Sequence, residues 1–199
     1  RFQDVLAWLQ ARGLEPAPRL LRLIDAGDYG WVEYVDEEPF ADAGEVAGYY
    51  RRIGALVCIT HVLRARDLHM ENVVATRGGP VLIDLEMLLQ PVARGARTNA
   101  PRPATQGTAE PEGDADAESC LTTGLVTLVE SSAGHMFDIG GLRGTGEGTS
   151  AVTTRVWHGF DSDDRHFTDE KTVATGVKNQ VRLDGVAQAP EDYADDLLG

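Results

Sequence analysis

The feature that most constrains this chain is the stretch from residue 66 to residue 86, which reads RDLHMENVVATRGGPVLIDLE. Two short apolar runs of β-forming residues stand on either side of a Gly-Gly pair, which is the pattern of a β-hairpin. The segments Val73–Ala75 and Val81–Ile83 are therefore predicted to be its two strands. Polar residues directly before and after these strands then lie at one end of a small sheet.

Three such polar residues flank the predicted hairpin: Asp67 and Asn72 precede it, and Asp84 follows it. Phosphoryl transfer from ATP needs one carboxylate to orient or deprotonate the attacking hydroxyl, and further oxygen ligands to hold Mg²⁺ against the triphosphate. The order and spacing match the kinase pattern of a catalytic Asp, an Asn five residues later, and a metal-binding Asp after a hairpin. The alternative is a hydrophilic loop beside an ordinary hairpin, with Asp67 as a helix cap or turn residue.

Composition limits the possible partners and the compartment. The chain carries 32 acidic and 18 basic residues, a net charge of −14, so nucleic acid and anionic membranes are poor partners. A hydrophobic content of 42% is enough for a core. The two cysteines, Cys58 and Cys120, have no metal-site spacing and suit reduced thiols. Because neither a signal peptide nor an apolar run of about 20 residues is present, a cytoplasmic protein is predicted.

Around the central stretch, hydrophobic patterns predict an α+β chain. Residues 19–35 are predicted to form a hairpin, residues 45–65 a buried helix that leads into the Asp67 loop, and residues 151–157 a strand. Residues 91–118 are rich in Pro, Gly, Ala, Thr and acidic residues, which predicts a disordered insertion that folding does not need.

Two parts of a protein kinase have no counterpart before Asp67. The chain contains only two lysines, Lys171 and Lys178, and both follow the candidate catalytic loop. A strand lysine that binds the phosphates and a Gly-rich loop are both expected upstream of that loop. Since the chain begins without Met in an apparent helix and ends at Gly199 at the start of another, it is predicted to be a fragment. The missing parts then precede Arg1, or the chain is not an active kinase.

Five motifs together resemble the dehydratase domain of class II lanthipeptide synthetases, the bifunctional LanM enzymes. In order they are GDYGWVEYV, YYRRIGALVCITHVLRARDLHMENVVATRGGPVLIDLEMLLQP, SCLTTGLV, DIGGLRG and FTDEKTVATGVKNQVRLDG. The resemblance covers residues 1–199 apart from the insertion at 91–118. It implies a lipid-kinase-like (kinase-like) fold of the α+β class, with this chain supplying the hinge, the catalytic loop and much of the C-lobe of one dehydratase domain. The segment Val32–Val35, with the acidic connector after it, then lies at the hinge; the alternative is an exposed polar loop.

The resemblance also implies an activity. Members of the family phosphorylate Ser and Thr of a precursor (leader–core) peptide with ATP and Mg²⁺, and then eliminate phosphate to give dehydroamino acids. A C-terminal zinc cyclase domain follows in the full-length enzymes. The family's ATP-binding Lys lies upstream of a segment like residues 2–14, and its elimination Arg and Thr lie downstream of Gly199, so neither falls in this chain.

Carried over position by position, the resemblance places Asp67, His69 and Asn72 in the family's catalytic D-x-H-x-x-N motif. It implies that Asp67 and His69 are catalytic, that Asn72 and Asp84 bind the metal, and that Glu86 joins them in binding Mg·ATP. A His two residues after the catalytic Asp can donate a hydrogen bond to phosphate or help to move a proton. The alternative is a structural His that holds the loop.

Two other functions stay open. Aminoglycoside kinases also use a D-L-H-x-x-N loop followed by a strand that ends Asp-x-Glu, so a small-molecule phosphotransferase is one alternative. The other is a catalytically inactive kinase-like module that only binds a peptide. Magnesium-dependent ATP binding separates the inactive module from both kinases, and the two kinases differ in which acceptor they phosphorylate.

Overall fold

The computed structural model describes residues 2–91, 119–132, 135–142, 149–159, 163–173 and 177–198. Its helices are α1 (Phe2–Gln10), α2 (Ala43–Val62) and α3 (Ala194–Leu198). Its strands are β1 (Leu23–Asp25), β2 (Gly30–Val32), β3 (Val73–Thr76), β4 (Gly79–Leu82), β5 (Val129–Ser132), β6 (His135–Asp138), β7 (Thr149–His158), β8 (His166–Val173), β9 (Arg182–Leu183) and β10 (Val186–Ala187). The predicted insertion at 91–118 lies outside the described residues, apart from Pro91.

Each described strand pairs antiparallel with its neighbour in sequence, which gives five two-stranded sheets. The central hairpin is confirmed, with Val73 opposite Leu82 and Thr76 opposite Gly79. The hairpin expected within residues 19–35 is β1–β2, and the strand expected at 151–157 lies within β7. Mixed helices and short sheets agree with the α+β composition of the prediction, while the kinase-like arrangement of lobes stays a prediction.

The β3–β4 hairpin is the centre of the packing, because every residue of both strands is buried. On one side, α1 and α2 pack against it in a cluster that consists of Phe2, Leu6, Leu56, Ile59, Ala65, Leu68, Val73, Leu82 and Leu125. A second cluster contains Phe40, Val46, Tyr49, Tyr50, Ile53, Ala75 and Val181. A third joins Leu21 and Val35 to Val74 and Val81. A hairpin covered on both faces reads as continuous apolar runs, which is why the sequence shows no polar alternation there.

Helix α2 delivers the chain to the candidate catalytic loop. Its cap is Asp42, whose carboxylate accepts a hydrogen bond of 2.9 Å from the Glu45 amide. The predicted helix was placed at 45–65; the observed one begins two residues earlier and ends at Val62, which is 77% exposed. The ending follows from Arg64, whose φ of 49° is left-handed and cannot continue a right-handed helix.

Two further features bear on the sequence predictions. Cys58 and Cys120 are both free thiols. The acidic connector after β2 is only partly an exposed loop, because Phe40 within it is 3% exposed and its amide donates to the Arg182 carbonyl at 2.9 Å. Among the described helices, none combines the length and the apolarity that crossing a bilayer requires.

Candidate active site

The loop after α2 turns Asp67 outward while the next residue is fixed in the core. Leu68 is fully buried and its amide donates to the Thr123 carbonyl at 3.0 Å. Asp67 has a left-handed φ of 64°, a conformation that Asp tolerates better than most residues. Its side chain is 57% exposed. The result is a carboxylate presented to solvent from a rigidly anchored backbone.

Asn72 ties this loop together from within. It is only 7% exposed, and its Nδ2 donates a 2.8 Å hydrogen bond to the main-chain carbonyl of Asp67. Its own main-chain carbonyl accepts a 2.9 Å hydrogen bond from the amide of Ile83, which directly precedes Asp84. One side chain and one peptide group of Asn72 therefore link the predicted catalytic Asp to the exit of the hairpin. Because Nδ2 makes this hydrogen bond, Oδ1 is the Asn72 atom that can act as a metal ligand.

His69 lies between these two residues. It caps the short 3₁₀ helix Met70–Asn72, with Nδ1 accepting from the Glu71 amide at 3.3 Å. A neutral ring that accepts at Nδ1 carries its proton on Nε2. Nε2 lies 3.9 Å from Asp67 Oδ1 and 3.4 Å from Asn72 Nδ2. The cap matches the structural role considered for His69, and the position of Nε2 beside Asp67 leaves the chemical role open as well.

Asp84 follows β4 at the same end of the hairpin. Its φ of 53° is left-handed, as at Asp67, and its side chain is exposed. It lines a groove of about 230 Å³ between α1 and β4, together with Phe2, Gln3, Leu21, Leu23, Val32, Leu82, Ile83 and Leu85. Glu86 lies two residues further along and is exposed.

The donor set of Asn72 and Asp84 fits Mg²⁺, which prefers amide and carboxylate oxygens. Within the described ranges, no three or more His, Cys, Asp or Glu side chains gather into a group that could hold a metal ion. A magnesium site of the nucleotide type needs only one or two protein ligands, since phosphates and water supply the others. The binding of Mg²⁺ by Asn72 and Asp84 stays a prediction.

A larger cleft of about 460 Å³ adjoins this groove and shares two residues, Val32 and Ile83, with it. It is lined by Val32, Glu33, Tyr34, Val35, Glu71, Val74, Ile83, Val177 and Lys178. Its walls thus come from three places: the predicted hinge, the central hairpin with its catalytic loop, and a segment about a hundred residues downstream. Its five aliphatic side chains suit an apolar planar group.

Residues 138–141, within the motif DIGGLRG, pack against the candidate catalytic loop. The Met70 amide donates to the Ile139 carbonyl at 2.9 Å. Asp138 accepts from the Gly140 amide at 2.9 Å, and so holds this strand end in place. A Cβ on Gly141 would lie 2.7 Å from the Leu68 carbonyl oxygen, so only glycine lets the two backbones approach this closely. Gly140 and Gly141 therefore serve close packing of the backbone behind the loop.

The structure thus brings Asp67, His69 and Asn72 into direct contact and links Asp84 to them through the peptide of Ile83. Sequence reasoning missed two contributors: the glycine pair behind the loop and Lys178 at the cleft. The Gly-Gly pair was visible as a motif, but nothing local indicated that it packs on Leu68. Lys178 lies in the motif FTDEKTVATGVKNQVRLDG, but no local pattern indicated that it lines the cleft.

Comparisons with known proteins identify the family of the chain. Residues 1–199 match the family described as "Domain of unknown function (DUF4135)". The chain is also 30% identical over 190 residues to the Lacticin 481/lactococcin biosynthesis protein LcnDR2 of Lactococcus lactis subsp. lactis. That alignment covers 90% of this chain but 19% of the relative, so the chain spans about a fifth of the relative's length. The chain belongs to the DUF4135 family, a domain family associated with class II lanthipeptide synthetases, as its motifs predicted.

Proposed function

We propose that this chain carries the phosphotransfer centre of a lanthipeptide dehydratase. The intact gene product would phosphorylate Ser and Thr of a precursor peptide with ATP and Mg²⁺, and would then eliminate phosphate. The observation that carries the proposal is the contact between Asn72 Nδ2 and the Asp67 carbonyl at 2.8 Å, which joins the two ends of the D-x-H-x-x-N motif beside a cleft. The relationship to a lacticin 481/lactococcin biosynthesis protein supports the same pathway.

Each residue of the motif has a task that its environment allows. The exposed Asp67 carboxylate orients the peptide hydroxyl and accepts its proton. Asn72 Oδ1 and the Asp84 carboxylate would hold Mg²⁺, with Glu86 beside them. When bound, that ion neutralises charge on the phosphates. His69 Nε2 lies 3.9 Å from Asp67 Oδ1, so with a proton on this nitrogen the ring can donate a hydrogen bond to a phosphate oxygen in the same region.

The cleft beside the loop is the candidate site for the base of the nucleotide. Its aliphatic walls (Val35 from the predicted hinge, and Val74 and Ile83 from the hairpin) provide apolar contact for a planar ring. Ile83 lines the cleft and Asp84 follows it directly, so a nucleotide whose base occupied the cleft would extend its phosphates toward the candidate metal ligands. The proposal therefore assigns the base site and the ion site to adjoining residues.

The proposal is tested in the intact gene product with Asp67→Asn. Asp184→Asn is a matched control, because Asp184 is also exposed and left-handed, with φ of 51°, but lies in the β9–β10 turn. Asp67→Asn is expected to abolish phosphorylation, seen as an addition of about 80 Da to the peptide, while leaving ATP binding nearly intact. Elimination from a pre-phosphorylated peptide is expected to persist, since the family's elimination residues fall outside this chain. Phosphorylation by Asp67→Asn at the wild-type rate would refute the assignment of Asp67.

The same assay separates the alternatives. Peptides containing Ser and Thr and a panel of aminoglycosides are offered in parallel, and the proposal requires phosphate on the peptide. Transfer to an aminoglycoside alone would indicate a small-molecule phosphotransferase. Failure to bind ATP in the presence of Mg²⁺ would indicate an inactive binding module. A zinc cyclase domain elsewhere in the gene product stays a separate prediction.

A further inference from the structure

One side chain of the cleft comes from far along the chain and is held by two groups at the predicted hinge. The ammonium of Lys178 lies 2.8 Å from Asp36 Oδ1 and donates to the Tyr34 hydroxyl at 2.9 Å. It also lies 4.9 Å from the centre of the Tyr34 ring. Lys178 therefore contacts Asp36 and both the hydroxyl and the ring of Tyr34, and Tyr34 lines the cleft.

The backbone that carries Lys178 is fixed in the core. Its carbonyl accepts a 2.7 Å hydrogen bond from the Ala75 amide on β3. The next residue, Asn179, is 5% exposed, and its Nδ2 donates to the Gly141 carbonyl at 3.0 Å. Lys178 thus extends from an anchored segment that also touches the support of the catalytic loop.

The two groups that Lys178 holds are exposed. Tyr34 is 78% exposed, and the Asp36 side chain is 62% exposed, against 32% for the Lys178 side chain. An exposed aromatic ring on a short connector samples several orientations unless a partner selects one, because rotamer freedom opposes order. The contacts of Lys178 supply that selection, through a charge-assisted hydrogen bond and a cation–π contact.

The charges around this group favour a persistent ion pair. The hydrogen bond from Lys178 lowers the pKa of Asp36, and the hydrogen bond to Asp36 raises the pKa of Lys178. Glu33, which lines the cleft from the predicted hinge, is engaged elsewhere: it accepts from the Arg22 amide and from Arg19, and these hydrogen bonds lower its pKa. Glu71 faces the cleft from the catalytic loop and is exposed. Asp36 is thus the carboxylate with which Lys178 pairs.

We propose that Lys178 is a positioning residue for the nucleotide base, acting through Tyr34. By fixing the Tyr34 ring at the wall of the cleft, it encloses a planar aromatic base between that ring and the aliphatic floor of Val74 and Ile83. The inference rests on the proposed function, because it assumes that the cleft takes a nucleotide. It adds that affinity for the base depends on a lysine outside the D-x-H-x-x-N motif and outside the metal ligands.

The test compares Lys178→Met with Lys171→Met in the intact gene product. Both variants remove one positive charge, and Lys171 lies in β8. Calorimetry is used with three probes: adenosine, the ATP analogue AMPPNP with Mg²⁺, and inorganic tripolyphosphate with Mg²⁺. Lys178→Met is expected to lower the affinities for adenosine and AMPPNP by the same factor, about five- to tenfold. This is the range expected for the loss of a cation–π contact and a charge-assisted hydrogen bond. The affinity of Lys178→Met for tripolyphosphate should equal that of wild type. Lys171→Met should bind all three probes with wild-type affinity.

Further variants separate positioning from a general effect on stability. Lys178→Arg keeps a cation that can pair with Asp36 and stack on Tyr34, so it should recover most of the adenosine affinity. In turnover, Lys178→Met should raise the KM for ATP while leaving kcat within about twofold, because uniform binding is what it removes. The thermal unfolding midpoint should change little.

Each contrary result has a definite meaning. Equal adenosine affinity in wild type and Lys178→Met would overturn the inference while leaving the proposed function standing. Loss of tripolyphosphate affinity with unchanged adenosine affinity would also overturn it, because Lys178 would then act on phosphates. Wild-type protein that binds neither adenosine nor AMPPNP would overturn the inference together with the proposed function.

Discussion

The side-chain amide of Asn72 donates to the main-chain carbonyl of Asp67 over 2.8 Å, so the shape of the candidate catalytic loop depends on an amide at position 72. Asn72 is 7% exposed, and its own carbonyl is bonded to the hairpin exit. Asn72, the predicted metal ligand, therefore also fixes the backbone of Asp67, the predicted proton acceptor. Substitutions at position 72 should affect the two roles together.

Asn72→Asp should lower both stability and activity. The ionised side chain cannot donate, so a buried carboxylate would face the Asp67 carbonyl oxygen. Leaving such a buried acceptor without a donor costs about 1–3 kcal/mol of unfolding free energy. Urea denaturation of the intact gene product measures the cost, and peptide phosphorylation is assayed in parallel. Unchanged stability together with unchanged phosphorylation would show that the Asn72–Asp67 contact does not organise the loop.

Asp84→Asn should weaken nucleotide binding in a magnesium-dependent way. The substitution keeps an oxygen ligand but removes its charge, and the left-handed backbone at Asp84 tolerates Asn equally well. Affinity for AMPPNP should fall at least about tenfold with Mg²⁺ present, whereas adenosine affinity should be unchanged. Asp184→Asn, with a similar φ of 51°, controls for the change in net charge. A parallel loss of adenosine affinity would mean that Asp84 shapes the cleft instead of binding the ion.

Gly141→Ala should destabilise the protein by about 1–3 kcal/mol, the usual cost of overpacking. The added Cβ would lie 2.7 Å from the Leu68 carbonyl oxygen and 2.9 Å from Val73 Cγ2, so the catalytic loop would have to move. Gly48→Ala is the matched control within α2, where the added Cβ would meet only the flexible end of Arg52 at 3.1 Å. That change should be neutral or stabilising by up to about 1 kcal/mol, since Ala favours a helix interior. Equal unfolding midpoints for the two variants would contradict the close approach at Gly141.

The Lys178–Asp36 pair should make adenosine affinity independent of pH over a wide range. The pKa of Asp36 is lowered, so its contribution is present above the ordinary value of 3.8 and is lost as pH falls through the lowered value. The pKa of Lys178 is raised, so its contribution is present below the ordinary value of 10.5 and is lost as pH rises through the raised value. Calorimetry from about pH 5 to pH 9 should give one adenosine affinity. A transition within that range would mean that a group other than this ion pair controls the affinity.

The parts that the sequence predicted well are those whose structure is local. The β3–β4 hairpin follows from two apolar runs and a glycine turn, and α2 follows from its apolar face. The position of Asp67, His69 and Asn72 in one short loop also guarantees that they lie close together. Even here the end of α2 was misplaced, because the left-handed conformation of Arg64 has no glycine to announce it.

The parts that the sequence could not predict depend on contacts between distant segments. The peptide of Ile139 supports Met70, and Lys178 reaches Tyr34 and Asp36 from more than a hundred residues away. No periodicity or spacing encodes such pairings, since they arise only once the hairpin is covered on both faces. The cleft itself is of this kind, because one of its walls is formed by this distant segment.

The segment from Val177 to Val181 places constraints on how this family can tolerate insertions and deletions. Lys178 faces the cleft, whereas Asn179 and Val181 are buried on the core side. Removing or adding one residue between Lys178 and Val181 would move Lys178 away from the cleft or Val181 out of its buried cluster. Changes of length are therefore expected to be excluded here, while the turn at Asp184 and Gly185 can accept them. In relatives of different length, insertions and deletions should fall at such turns. The number of residues between the positions of Lys178 and Val181 should stay constant.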